Sequence, residues 1–306
     1  MKRPILVLGA RGLVGSALVR ELIRQGNENI LAPLRSELDL LDQQNVSEYF
    51  QKHKPEQVYL AAAKVGGIKA NNTYRADFIF ENLQIETNVF KAVFESNVEQ
   101  FLFLGASCIY PKDCPQPIKE EYLLKGLLEP TNEPYAIAKI AGVKMAENFR
   151  RQYGKKYFAV LPTNLYGLND NYHPENSHVI PGLLQRFHYA KVNNEKSVQV
   201  WGTGKPKREF LYVDDLAKAC LVVMNHKGEL PFWLNIGTGE DISIKELANE
   251  IAKVVGFNGT IEFQTDVLDG MMRKVLDVSQ MKSLGWKPEV SLDVGLKISY
   301  EDFLKK

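Results

Sequence analysis

Cysteine is scarce in this chain. Only Cys108, Cys114 and Cys220 occur among 306 residues; the number is odd and no two form a Cys-x-x-Cys pair. That pattern gives no support to a disulfide framework or a metal site, and Cys114 and Cys220 read as packing residues. An excess of charge is missing as well. Lys and Arg number 38 against 37 Asp and Glu, so the formal net charge is +1, and no dense basic block occurs. Nucleic-acid binding is therefore not expected, because it takes a clustered positive footprint. No apolar run is long enough to span a bilayer, and the first residues lead into a strand rather than through the apolar region of a signal peptide. The expectation is a cytoplasmic protein without membrane partners. Repeats, low-complexity runs and flexible linkers are absent too. What is present is 45% hydrophobic residues, enough for a large core in one domain or two.

The apolar run Ile5-Leu6-Val7-Leu8 enters Gly9-Ala10-Arg11-Gly12-Leu13-Val14-Gly15, followed by an amphipathic stretch reaching Gln25. This reads as strand, glycine turn, helix. Glycines let a backbone approach a pyrophosphate closely, and a helix N-terminus offers free N–H groups to it. Gly9, Arg11, Gly12, Leu13, Val14 and Gly15 are thus candidate dinucleotide contacts, although the spacing is Gly-x-x-Gly-x-x-Gly rather than Gly-x-Gly-x-x-Gly. Further apolar runs at Ile30 to Pro33, Gln57 to Ala61, Phe101 to Leu104 and Tyr157 to Leu161 alternate with helical stretches. Such alternation predicts an α/β fold with a doubly wound parallel sheet of Rossmann type. Texture changes after Asn164-Leu165-Tyr166-Gly167. The expected division is a dinucleotide-binding domain over 1–167, with segments near 210–236 returning to it, and a smaller, discontinuous α/β substrate lobe over 168–306.

After the second strand an acidic residue would meet a free ribose 2′-hydroxyl, but the chain offers Leu34-Arg35-Ser36. Arg35 together with Arg11 suits a 2′-phosphate, which favours NADP over NAD. Asp39 is the competing carboxylate, expected to face the adenine or to cap the next helix.

Tyr135 and Lys139 lie four residues apart near a predicted helix start, on one face. A phenol, with an ordinary pKa of about 10, becomes a usable proton donor when a cation such as Lys139 favours its anion. Alone, the pair would equally describe a surface tyrosine one turn from a solvated lysine. Gly105-Ala106-Ser107-Cys108-Ile109-Tyr110-Pro111 ends the fourth buried strand, and strand carboxyl ends are where doubly wound sheets bind ligands. Ser107 and Cys108 are therefore expected in one cleft with Tyr135.

The glycine loop, Ser107-Cys108-Ile109-Tyr110-Pro111 and Tyr-x-x-x-Lys together resemble the extended short-chain dehydrogenase/reductases that act on nucleotide sugars. Longer strings narrow the likeness to the GDP-L-fucose synthase family. They are Ala61-Ala62-Ala63-Lys64-Val65-Gly66-Gly67-Ile68, Glu129-Pro130-Thr131-Asn132-Glu133-Pro134-Tyr135-Ala136-Ile137-Ala138-Lys139, Pro162-Thr163-Asn164-Leu165-Tyr166-Gly167 and Asn176-Ser177-His178-Val179-Ile180-Pro181. The resemblance implies C3 and C5 epimerisation of a GDP-4-keto-6-deoxymannose, then NADPH-dependent reduction at C4. Under it Cys108 as thiolate and His178 serve as base and acid on opposite sugar faces, with unperturbed pKa values of about 8.5 and about 6.5 near working pH. Tyr135 protonates the C4 oxygen, assisted by Lys139 and Ser107. It further implies cofactor contacts at Leu40, Ala63, Lys139, Pro162, Asn164, Leu165 and His178, and GDP-sugar contacts at Arg186, Trp201, Arg208 and Asp269. A homodimer through helices near 78–93 and 139–153 is implied as well.

One departure stands out. The resemblance places a hydroxyl residue after Gly105, and this chain has Ala106. Ser107, one residue later, should point to the other face if the strand continues. Two alternatives stay open: a plain C4 ketoreductase on a related GDP-sugar such as a 4-keto heptose, and a non-catalytic NADP-binding sensor.

Overall fold

The structure is a computed structural model that describes residues 3–174, 177–265 and 271–306. Strands and helices alternate through the first half: β1 (Ile5–Leu8), α1 (Leu13–Arg24), β2 (Ile30–Leu31), α2 (Gln43–His53), β3 (Gln57–Leu60), α3 (Ile68–Thr73), α4 (Arg75–Glu95), β4 (Gln100–Leu104), α5 (Glu133–Tyr153) and β5 (Lys156–Pro162). Then follow β6 (Asn164–Tyr166), α6 (Val179–Val192), β7 (Ser197–Trp201), β8 (Lys207–Arg208), β9 (Phe210–Tyr212), α7 (Val213–Asn225), β10 (Trp233–Ile236), β11 (Ile242–Ser243), α8 (Ile244–Val255), β12 (Thr260–Gln264), β13 (Arg273–Lys274), α9 (Ser279–Ser283) and α10 (Leu292–Phe303).

The main sheet is parallel, in the order β10-β5-β4-β3-β1-β2. Its strands are apolar on both faces because helices cover both. Alternation splits each strand between two cores: Leu6, Leu8, Phe101 and Phe103 pack with α2, α4 and α5, while Ile5, Val7, Leu102 and Leu104 pack with α1 and α7. Chain order reverses between β1 and β3, the place where such sheets open a crevice for a ligand. β10, entering from late in the sequence, completes the sheet beside β5.

A third core, built on Phe187, Val198, Val200, Leu247, Ile251 and Leu296, gathers α6, α8 and α10 around short strands. Those strands form small sheets, β11-β8-β13, β12-β7 and β6-β9. Asp42, not Asp39, caps α2, accepting from the backbone N–H groups of Gln44 and Asn45. Asp39 instead turns back to accept from Leu41 N at 3.1 Å, a local Asx contact. Among the described residues, no helix is long and apolar enough to cross a membrane.

Candidate active site

The glycine loop closes the crevice at the carboxyl end of β1. Gly9 has a φ of +84°, and a Cβ there would stand 2.7 Å from Ala62 N at the end of β3, so neither the conformation nor the space admits a side chain. At Gly15 a Cβ would lie 2.1 Å from Gly9 O, which is how α1 comes to rest directly on the turn. Gly12 occupies the N-cap of α1 with no capping side chain, leaving the Leu13 and Val14 end of the helix toward the crevice. This cradle fits a pyrophosphate. Arg11 and Arg35 are exposed beside it, and the Arg35 guanidinium is 3.9 Å from the Asp39 carboxylate. Leu40 and Ala63 flank the same region, half-buried. The backbone around Ala63 is pinned by buried Asn82, which accepts from Lys64 N and donates to Lys64 O and Phe78 O.

β4 stops at Leu104, and Ser107–Ile109 form a single 3-10 turn. Strand alternation therefore does not govern Ser107, contrary to the expectation that it would face away. It is buried in the turn, beside half-buried Cys108. α5 begins opposite, with Asn132 at its N-cap and Pro134 in its first turn. On its inner face Tyr135 and Lys139 do lie together, Lys139 Nζ standing 5.8 Å from the Tyr135 ring centroid and 4.6 Å from that of Phe103. Phe78 of α4 meets Tyr135 edge-on.

The electrostatics differ from the sequence expectation. Lys139 is paired with Glu86 of α4, Nζ to Oε1 3.3 Å, so its charge is shared with a carboxylate rather than turned on the phenol alone. Burial pushes the Tyr135 phenol well above its ordinary value, and the Cys108 sulfur and Glu86 carboxylate add to the rise. The Cys108 thiol is also raised by burial, with Lys274 and Lys139 pulling against it. His178 opens α6 with its backbone carbonyl accepting from Gly182 N at 3.0 Å; its side chain reaches solvent from a cleft whose protein walls lower the imidazole. Cys108 and His178 are thus both held neutral instead of poised as thiolate and imidazolium. Among the described residues His178 shares no hydrogen bond with Cys108 or Tyr135.

On the far wall, the Arg186 guanidinium lies 4.8 Å from the ring centroid of exposed Trp201, and donates to Gln199 O. Burial lowers the Arg186 guanidinium, which nonetheless stays charged at neutral pH. Arg208 Nη1 donates to Lys207 O and Met271 O. Asp269 falls outside the described residues. The neighbour of Arg208, Glu209, is fully buried, accepting from Gly239 N and Leu276 N while its own carbonyl accepts from Thr163 and Asn164. It thereby joins the Pro162, Asn164 and Leu165 stretch to the strands that carry Arg208. Lys274 is paired in register with Arg208, and its ammonium, lowered by burial, faces Cys108 and Cys114.

Glu86, Glu209 and Lys274 escaped the sequence reading. Glu86 left a signal, a carboxylate on the helix face of Phe78, Ile85, Val89 and Phe90 in α4. Lys274, on a two-residue strand, left none.

Residues 5–237 match the NAD dependent epimerase/dehydratase family. The chain is 52% identical to the GDP-L-fucose synthase of Escherichia coli (strain K12), covering 99% of this chain and 97% of that protein. It is 54% identical to GDP-L-fucose synthase 1 of Arabidopsis thaliana, covering 98% and 93%. Among solved structures, a GDP-mannoheptose C4 reductase from Campylobacter jejuni with NADP bound superposes with a TM-score of 0.91 at 39% identity, covering 99% of this chain and 98% of that one. The chain belongs to the NAD dependent epimerase/dehydratase family, and within it to the GDP-L-fucose synthases.

Proposed function

We infer that this chain is an NADP-dependent epimerase-reductase that converts GDP-4-keto-6-deoxy-D-mannose to GDP-L-fucose. The observation that carries the reading is the meeting of Tyr135, Lys139 and Cys108 at the carboxyl end of β4, in a chain more than half identical to GDP-L-fucose synthases over nearly its whole length. The glycine cradle of Gly9, Gly12 and Gly15 would hold NADPH, whose chemistry would be hydride donation to C4. NADP rather than NAD is favoured by Arg11 and Arg35 beside the cradle, and by the NADP in the Campylobacter jejuni relative.

The residues divide the chemistry. Hydrogens beside a ketone are acidic enough for a positioned side-chain base. Burial leaves Cys108 as thiol and His178 as imidazole, one holding a proton and the other a lone pair. Inversion needs that composition: a base on one face of the carbon and an acid on the other. Tyr135, its proton held firmly by burial, gives it to the C4 oxygen as negative charge develops there, and Lys139 beneath the ring offsets the phenolate left behind. Ser107, in a 3-10 turn rather than on the strand, would stand in for the hydroxyl missing at Ala106. Arg186, Arg208 and Trp201 offer guanidinium forks and an aromatic face to a nucleotide diphosphate. In this reading the dinucleotide belongs to residues 1–167 with 210–236, the sugar nucleotide to the lobe over 168–306, and Asp269 to the latter. We further propose a cytoplasmic homodimer through α4 and α5, which leave Phe80 and Ile137 exposed.

The likeness to the C4 reductase favours a second reading, plain reduction of a GDP-4-keto heptose, though at lower identity. One experiment separates them. Incubation with GDP-4-keto-6-deoxymannose and NADPH in heavy water should give cofactor oxidation together with deuterium at C3 and C5, read by mass spectrometry. Oxidation without carbon-bound deuterium selects the plain reductase, and neither signal would sink both.

A further inference from the structure

One buried carboxylate takes no part in the chemistry above. Glu86 reaches from α4 to Lys139 on α5, and both side chains are shut off from solvent, at 1% and 3% exposure. Apart from that ion pair, neither Glu86 oxygen has an aligned hydrogen-bond donor among the described residues. Space for the carboxylate exists because position 142 is glycine: a Cβ there would stand 2.8 Å from Oε2 and 2.2 Å from the Phe103 ring. The Phe103 ring supports the Lys139 ammonium from β4, so Glu86, Phe103 and Tyr135 hold it from three directions. The titratable groups around the carboxylate are Lys139 and Tyr135 of α5, then Cys108 of the turn after β4, with Lys274 of β13 behind the thiol. An ion pair buried this deeply is weak evidence for stability, since desolvation offsets the attraction. Its location points to another use.

We propose that Glu86 is a positioning residue for the reduction step, fixing Lys139 beneath Tyr135 and setting the pH above which the phenol can no longer donate. The inference rests on the reduction reading above. A negative charge beside the tyrosine and lysine opposes loss of the first proton from either, so the donor form of the unit persists to higher pH. Removing that charge without changing shape must let the first proton go at lower pH, whichever of the two groups releases it.

Glu86→Gln is the variant that does this. Tyrosine ionisation is followed by ultraviolet difference titration against Tyr135→Phe in the same background, with no substrate present, alongside the pH profile of NADPH oxidation with the GDP-4-keto sugar. The expected result is a first ionisation about one to three pH units lower than in the parent, with the alkaline limb of reduction moved by the same amount. A folded variant whose ionisation stays at the parental pH overturns the proposal. A moved ionisation in a protein that does not reduce the sugar overturns the reduction reading instead. Glu86→Asp keeps the charge but withdraws it by one methylene, so its ionisation should move less; a shift as large as that of Glu86→Gln also overturns the proposal.

Discussion

Two residues separate the two halves of the chemistry. On the proposed reading Tyr135→Phe removes the proton meant for the C4 oxygen while leaving Cys108 and His178 intact, so reduction should fall by about a hundredfold or more while deuterium still enters beside the ketone. Cys108→Ser should do the reverse, because a hydroxyl gives up its proton far less readily than a thiol and leaves the face opposite His178 without a proton donor. Its product should be the unepimerised 6-deoxy sugar, with the configuration at C3 and C5 unchanged. Mass spectrometry reads the label and chromatography separates the epimers, and loss of both activities in either folded variant would contradict the division of labour. At the cofactor end, Arg35 is exposed, and its contact to Asp39 at 3.9 Å is a loose surface pair of little worth. The guanidinium is therefore free to turn toward a 2′-phosphate. Arg35→Ala should weaken NADPH binding by about tenfold and leave NADH binding nearly unchanged, as measured by fluorescence titration.

The elements show what a sequence discloses and what it hides. Strands β1, β3, β4 and β5 are legible because both of their faces are buried, which makes them unbroken apolar runs; the glycine turn is legible because its requirement is local. Gly9 carries that requirement doubly, in a φ of +84° and in a Cβ that would meet Ala62 N at 2.7 Å, whereas Gly26 has a φ of +80° and nothing within 4 Å of such a Cβ. Gly26→Ala should accordingly cost about 1 kcal/mol, the conformational share alone, while Gly9→Ala should cost roughly 2–4 kcal/mol and abolish dinucleotide binding. Urea denaturation midpoints decide between them, and equal costs would mean that β3 gives way at Ala62. Tyr135 and Lys139 were readable as helical neighbours four residues apart. Their setting was not, because Glu86 comes from a helix some fifty residues earlier and Lys274 from a strand well over a hundred residues later, contacts that no local spacing encodes. Strand alternation does not reach Ser107 for a related reason: the strand ends three residues before it, and period-2 alternation ends with the strand.

At the scale of the whole molecule, near-neutral net charge conceals an uneven distribution, with several carboxyls buried in the folded chain. Asp170 illustrates its consequence for stability. It is 6% exposed, its Oδ1 accepts from Asn171 N at 2.7 Å, and among the described residues its Oδ2 has no partner. Burial pushes its carboxyl up to about 7, with Asn171 N–H and Lys306 opposing the rise and Asp302 adding to it. A carboxyl whose folded pKa lies above its unfolded value binds more protons when folded, so its contribution is full below the unfolded pKa and is lost as pH rises through the folded one. The affected window runs from the ordinary aspartate range, 3.8, to about 7. Glu86, raised to about 7 by burial against the pull of Lys139, acts with the same sign, so the parent protein should lose stability between mildly acidic and mildly alkaline pH. Asp170→Asn removes one ionisation and keeps the acceptor for Asn171. Since each unit of pKa difference is worth about 1.4 kcal/mol, the variant should gain roughly 1–4 kcal/mol over the parent at pH near 8 and little or nothing at pH near 4. Urea unfolding followed across that range gives the test: parallel stability curves for parent and variant would show that Asp170 ionises normally in the folded chain, and that its unpaired oxygen reaches water.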